Sequence, residues 1–250
     1  MYSRIHGFLN STKFISAKQF GFRTGYSCTD ALTEYLDFIY GAIDKKKFVM
    51  SIFLDFSKAF DTVAHDILLA KLNHIGIRGC LLDWFSCYLS GRTQRVSVNQ
   101  HVSSARVVKC GVPQGSVLGP LLFLIYINDM SESADLLQFV HYADDTSLHT
   151  SDHSLSNLVN YVNSSLIDVD NWLISNRLSL NIGKTVFMIF SNVGSVETQP
   201  PKIRGLELKR EVTKEFLGVT IDSKLSFSDH VSTVASKLAR SVGIMYRLRG

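Results

Sequence analysis

The chain is poor in the residues that brace small secreted proteins, with four cysteines and four prolines in 250 residues. Cys28, Cys80, Cys87 and Cys110 form no CxxC pair and sit in apolar stretches. That usage predicts buried, reduced thiols instead of disulfides or zinc ligands, and hence a reducing compartment. The longest apolar run, Val117–Ile127, is too short to span a bilayer and carries Gly119 and Pro120. No charged-then-apolar leader opens the chain, and no repeat or low-complexity tract follows. These absences exclude a disulfide scaffold, a membrane span and a solenoid, and leave a soluble intracellular globular protein.

One sign of charge is also missing locally. From Val112 to Asn176 there is no Lys or Arg, against eight acidic residues. From Lys202 to Gly250 ten basic residues face five acidic ones, although the whole chain carries only +4. An acidic centre beside a basic tail suits a metal in one place and a polyanion in the other. Solvated helix faces would give the same skew, so the charge pattern supports a reading without carrying one.

With 46% apolar residues the chain can bury a substantial core. Helical spacing of Ala31, Leu32, Tyr35, Leu36 and Ile39 predicts a helix over Ser27–Ile43. Phe48–Leu54 reads as a buried strand, followed by helices near Asp66–His74 and Cys80–Ser90. Thr93–Val98 and Ser103–Lys109 alternate as a hairpin around Asn99-Gln100. A helix over Pro120–Asp129 leads into a hairpin whose tip is Asp144-Asp145. Leu155–Ile174 is amphipathic, Val186–Phe190 is a strand, and Asn192–Pro201 is a polar loop. Arg204–Arg210 and Glu215–Ile221 look like a second hairpin, and Phe227–Leu248 like a basic helix. The core order of strand, helix, two strands, helix and strand fits an α+β split βαβ, ferredoxin-like sheet with helices on one face.

Chemistry concentrates at the acidic tip. Phe139-Val-His-Tyr-Ala-Asp-Asp145 sets two carboxylates together, and at about 4 Å with an effective dielectric near 20 their repulsion costs about 4 kcal/mol. A hard divalent cation with oxygen ligands relieves it. An Asp-rich turn is the plainer alternative for this segment alone. Asp55 ends the strand Ile52-Phe-Leu-Asp55, where a helix N-cap is the competing explanation. In a split βαβ sheet that strand lies beside the central hairpin, which brings Asp55 towards Asp144 and Asp145. Such a set would hold two Mg²⁺ ions for in-line phosphoryl transfer. Between them, Gly111, Gly115 and Gly119 recur every fourth residue in Cys110-Gly-Val-Pro-Gln-Gly-Ser-Val-Leu-Gly-Pro120. They let a backbone or a flat ligand approach closely, and Gln114 adds an amide there; small-residue loop packing is the alternative.

Taken in order, Gln19-Phe-Gly-Phe-Arg-Thr-Gly25, Leu54-Asp-Phe-Ser-Lys-Ala-Phe-Asp61, Gly111-Val-Pro-Gln-Gly-Ser-Val-Leu-Gly-Pro120 and Tyr142-Ala-Asp-Asp145 closely resemble the reverse transcriptase of non-LTR retrotransposons, particularly the jockey-like group. Leu178-Ser-Leu-Asn-Ile-Gly-Lys-Thr185 and Phe216-Leu-Gly-Val-Thr-Ile-Asp222 resemble that family's later motifs. The resemblance implies a right-hand polymerase with partial fingers over 1–47, palm over 48–225 and the start of a thumb helix over 226–250. It implies an RNA-directed DNA polymerase that uses an RNA template, a DNA primer, dNTPs and two Mg²⁺ ions, with Mn²⁺ as an alternative. It also implies a nuclear and cytoplasmic setting.

Residue by residue, Asp55 and Asp144 fall on the principal metal ligands and Asp145 on the third acidic position. Phe56 falls on a backbone carbonyl ligand, and Gln114 and Gly115 on the loop touching the templating base and incoming nucleotide. Lys184 matches a lysine that protonates pyrophosphate, with a solubilising surface lysine as the alternative. Phe60, five residues after Asp55, falls beneath the nucleotide sugar, where its ring would exclude a 2′-hydroxyl. Arg23 would touch template or nucleotide phosphate, with an ordinary surface arginine as the favoured alternative. Lys237, Arg240, Arg247 and Arg249 would follow the primer–template backbone.

The family pattern extends beyond this chain on both sides, to an upstream finger segment and a fuller thumb. Two functions compete on that ground: an active polymerase core, and a remnant that at most binds nucleic acid. An RNA polymerase is disfavoured by Phe60 and Ala143, and a maturase by the absence of room for its extra region.

Overall fold

The computed structural model describes residues 1–193 and 196–248, with side chains through Tyr246. Its framework is a sheet whose central strand, β1 (Phe48–Leu54), is buried on both sides from Val49 onward. β2 (Gln138–Tyr142) and β3 (Asp145–Asp152) form a hairpin, and β4 (Val186–Phe190) is buried throughout. The spatial order β4-β1-β3-β2 is antiparallel at every step. This is the ferredoxin-like order, in which strands distant in sequence lie side by side at the centre. A two-residue strand, β5 (Lys209–Arg210), adds parallel to β4.

Alternation along β1 sorts the core into two layers. Met50, Ile52 and Leu54 face α5 (Gly119–Ile127) and α6 (Leu155–Ser175), together with Phe139, Leu148, Phe187 and Ile189. α5 is buried on all sides except at Pro120, as its apolar sequence demands. Val49 and Phe53 point the other way, with Val140, Met188 and Phe190. That face is covered by α2 (Cys28–Asp44) through Ala31, Tyr35, Ile39 and Ala42. α2 starts at a capping box in which Ser27 and Asp30 satisfy each other's backbone N–H groups. Helices therefore occupy both faces: the two crossovers lie on the expected side, and α2 closes the second.

Several elements depart from the sequence expectation. Tyr2–Ser11 is an unanticipated helix, α1, which buries Ile5 and Leu9. The segments around Arg204–Arg210 and Glu215–Ile221 do not pair with each other. Instead Lys202–Ile203 pairs with Leu206–Glu207, and β6 (Thr213–Phe216) pairs with β7 (Val219–Asp222). The reason is turn chemistry: Arg204-Gly205 and Leu217-Gly218 all have positive φ, so each dipeptide closes its own two-residue hairpin. Asn99-Gln100 does the same between Ser97–Val98 and His101–Val102, inside the hairpin expected there.

The cysteines were expected to be buried, yet Cys80, Cys87 and Cys110 are exposed and Cys28 is half-buried. On Cys80–Leu89 the inward stripe is Phe85 and Leu89, which turns both helical cysteines outward. Among the described residues, no helix is long and apolar enough to cross a membrane. The basic C-terminal helix spans Ser228–Leu248, with residues 231–246 exposed. The Arg247 side chain and Arg249 lie outside what is described.

Candidate active site

Asp55 sits one residue past the end of β1, and its backbone is held on both sides. Its N–H donates to the Thr185 hydroxyl (3.2 Å) and its carbonyl accepts from the Asn181 N–H (2.7 Å). The Ser57 N–H donates to the Ser179 carbonyl (2.8 Å), so Leu180 bridges Phe56 in antiparallel fashion. Within that pattern the Phe56 carbonyl accepts no backbone hydrogen bond among the described residues. Thr185, fully buried, is a residue the sequence reading did not single out as an anchor for Asp55.

Opposite stands the β2–β3 turn. Tyr142 pairs with Asp145, leaving Ala143-Asp144 as a two-residue loop with Ala143 at φ +59°. Positive φ at the first loop position alone defines the mirror turn that normally takes glycine. β1 and β3 are paired through Leu54 and Thr146. One further step of that register sets Asp55 across from Asp145, a neighbour separation of about 5 Å between Cβ atoms. Both continue the rows of Phe53 and Ser147, on the face shared with α2 and the β6–β7 hairpin.

The electrostatics agree with this placement. Partial loss of water pushes the Asp145 carboxyl above the usual carboxylate range, and the negative charges of Asp144 and Asp55 push the same way. Lys214, on β6, opposes them. The positive charge of Lys214 thus acts on the acidic tip, and no motif marked this residue. Among the described residues, no three His, Cys, Asp or Glu side chains form a ready-made metal cage. The donor set of mutually repelling carboxylates plus a free carbonyl nevertheless fits hard divalent ions whose remaining ligands come from a phosphate.

The glycine-rich loop packs against the segment after Asp55. The Gly111 N–H donates to the Val63 carbonyl (2.7 Å), and the Val112 N–H to that of Phe60 (2.8 Å). A Cβ on Gly111 would meet the Asp61 carbonyl oxygen at 2.7 Å. Gln114 donates to the Asp61 carboxylate (2.9 Å), and Gly115, at φ +77°, completes a type II turn closed from Ser116 to Pro113. Phe60 is half-buried, stacked on Phe123 at 4.3 Å and edge-on to Phe22 at 6.4 Å.

The other candidates lie further out. Lys184 is exposed in the turn after Asn181, the residue that bonds Asp55. Arg23 is held by the protein itself: its guanidinium donates to the Ser16 and Gln19 carbonyls (2.9 and 2.8 Å) and lies 4.2 Å from the Tyr26 ring centroid. Lys237 and Arg240 are exposed one turn apart on the C-terminal helix. That helix begins against β7, where His230 accepts the Thr220 N–H (3.3 Å). A cavity of about 720 Å³ bordered by Ile67, Lys71 and Ile125 includes none of Asp55, Asp144 and Asp145; Asp144 and Asp145 are exposed.

A ferredoxin-like sheet with acids at the tips of its two central strands defines the palm of a right-hand polymerase. Consistent with this, the fold matches two structures of telomerase from Candida tropicalis. One is an apo structure (TM-score 0.62, 14% identity, 91% of this chain and 40% of that one) and the other is in complex with a telomeric RNA fragment (0.60, 14%, 91% and 37%). Residues 1–221 match the model of the family described as reverse transcriptase (RNA-dependent DNA polymerase), and the chain belongs to that family. It is 32% identical to the RNA-directed DNA polymerase from mobile element jockey of Drosophila melanogaster, over 94% of this chain and 26% of the relative. From the same organism, the probable RNA-directed DNA polymerase from transposon BS is 29% identical, over 94% and 27%. The chain therefore spans about a quarter of these relatives' length.

Proposed function

We propose that this chain is the polymerase core of a non-LTR retrotransposon reverse transcriptase, adding dNTPs to a DNA primer on an RNA template. The observation that carries the reading is the β1–β3 register, which ends at Leu54 and Thr146, one step before Asp55 and Asp145, with the Phe56 carbonyl accepting no backbone hydrogen bond among the described residues. Asp55, Asp144, Asp145 and that carbonyl would hold two Mg²⁺ ions, or Mn²⁺ in their place. Such ions, when bound, would lower the pKa of the attacking 3′-hydroxyl and offset the negative charge on the leaving pyrophosphate.

The chain's own groups supply position. Phe60, backed by Phe123, forms the floor under the incoming sugar and excludes a 2′-hydroxyl. Gln114 and Gly115 border the base pair being formed, and Asp61 holds the Gln114 amide until then. Lys184 donates a proton to the departing pyrophosphate, while Lys237 and Arg240 face the primer–template backbone. Arg23, already bound to two carbonyls, orders its own loop more than it grips phosphate. In this reading, residues 1–47 belong to the fingers, 48–225 to the palm and 226 onward to the thumb, and copying element RNA sets the protein in cytoplasm and nucleus.

The test is extension of a DNA primer on an RNA template with Mg²⁺. We expect incorporation by the wild type and at least a roughly hundredfold loss in Asp144→Asn, since a ligand to the reacting ions is removed. Template binding without Asp144-dependent incorporation would reduce the chain to a nucleic-acid-binding remnant.

A further inference from the structure

The loop Gln19–Arg23 is built against the acidic turn. Lys18–Phe20 runs as a short parallel strand along the edge of β2: the His141 N–H donates to the Lys18 carbonyl (2.9 Å) and the Phe20 N–H to that of His141 (2.8 Å). Gln19 is 2% exposed, and its side-chain oxygen accepts two backbone N–H groups, from Gly21 (2.8 Å) and from Ala143 (3.1 Å). Gly21 lies so close that a Cβ there would stand 2.3 Å from the Ala143 nitrogen. Arg23 ties the loop back on itself through the Gln19 carbonyl. The next side chain along, Phe22, meets Phe60 edge-on.

Ala143 needs such support. An alanine at φ +59° costs on the order of 1 kcal/mol or more, and nothing in a two-residue loop repays it locally. Its N–H is buried, and leaving it unpaired would add a further penalty. We propose that Gln19 is a positioning residue for the polymerase site: its amide oxygen locks the Ala143 turn, fixing Asp144 relative to Asp55, while Phe22 on the same loop sets the Phe60 floor. Metal-bearing turn and nucleotide floor are thereby referenced to one loop. This rests on the polymerase reading above.

Two measurements test it, and the first needs no activity. In amide hydrogen exchange on the wild-type chain, the Ala143 and Gly21 N–H groups should be protected; exchange of the Ala143 N–H at the rate of an open loop would overturn the proposal. In Gln19→Met, which keeps volume and removes the acceptor, that protection should be lost while β1 and β3 amides stay protected. In primer extension, Gln19→Met should lower kcat about tenfold or more, leave the KM for dNTP near its wild-type value and raise the Mg²⁺ concentration for half-maximal rate. Because glycine relieves the turn strain, Ala143→Gly in the Gln19→Met background should restore most of the rate. An undiminished kcat in Gln19→Met, or no recovery in the double variant, would overturn the role. A wild type that incorporates nothing but shows the protected amides refutes the polymerase reading and leaves the Gln19 lock standing as a feature of the turn.

Discussion

Phe60 gains its meaning from what lies behind it. A lone aromatic near an acid is ordinary core, but this ring is half-buried, stacked on the fully buried Phe123 and capped at its edge by Phe22. In the proposed role, that packing would hold the ring in place against a 2′-hydroxyl. Phe60→Val or Phe60→Ala should raise ribonucleotide incorporation about tenfold or more relative to dNTP in primer extension, with little change in dNTP use. Unchanged discrimination would remove the gate. Asp55, Asp144 and Phe60 are proposed from the sequence because each sits in a motif with fixed spacing. Lys214, Thr185 and the Gln19 side chain are not, because their partners lie between 69 and 130 residues away and only the fold brings them together.

At the scale of elements, the sheet buries two histidines, one on each face. His149, on β3, packs its ring against Tyr35 and Phe38 and is 1% exposed. Burial, with a smaller contribution from Lys18, pushes its pKa down to about 3. His141 on β2, bonded to the Thr146 hydroxyl, is pushed by burial down to about 4. The folded state therefore keeps both rings neutral, while the unfolded chain protonates them near 6.5. Stability is complete above that pH and falls as pH drops from 6.5 towards 4. Each pH unit over which only the unfolded chain is protonated costs about 1.4 kcal/mol per histidine. A series of Tm values across this range should show the acid fall, and His149→Phe should flatten part of it; an equal slope in the variant would assign the fall elsewhere.

The glycine-rich loop gives a second element-scale outcome. Gly111 has φ +90° and no room for a Cβ against Asp61, so Gly111→Ala should cost roughly 3 kcal/mol in urea denaturation. A loss below about 1 kcal/mol would show that the loop yields freely. Strands with strong apolar runs, β1 and β4, and helices with clear periodicity were readable to within a residue or two. The hairpins after Pro201 were not, because the deciding signal was two dipeptides, Arg204-Gly205 and Leu217-Gly218, and not hydrophobic alternation.

For the whole molecule, the sheet order does the decisive work. By placing β1 between β4 and β3, it carries Asp55 across some ninety residues of intervening helix and hairpin to the tip of the β2–β3 turn. The exposed cysteines and α1 escaped the sequence because composition reports averages and not which side of a helix meets the core. The central claim is that Asp55 and the Asp144 turn share divalent ions, and it is tested most directly by titrating the chain with Mn²⁺ in the presence of a non-hydrolysable dNTP, followed by electron paramagnetic resonance. The account predicts saturable binding by the wild type, weakened about tenfold or more in Asp55→Asn and in Asp144→Asn alike, since each removes a charged ligand. Full Mn²⁺ affinity in Asp55→Asn would contradict it.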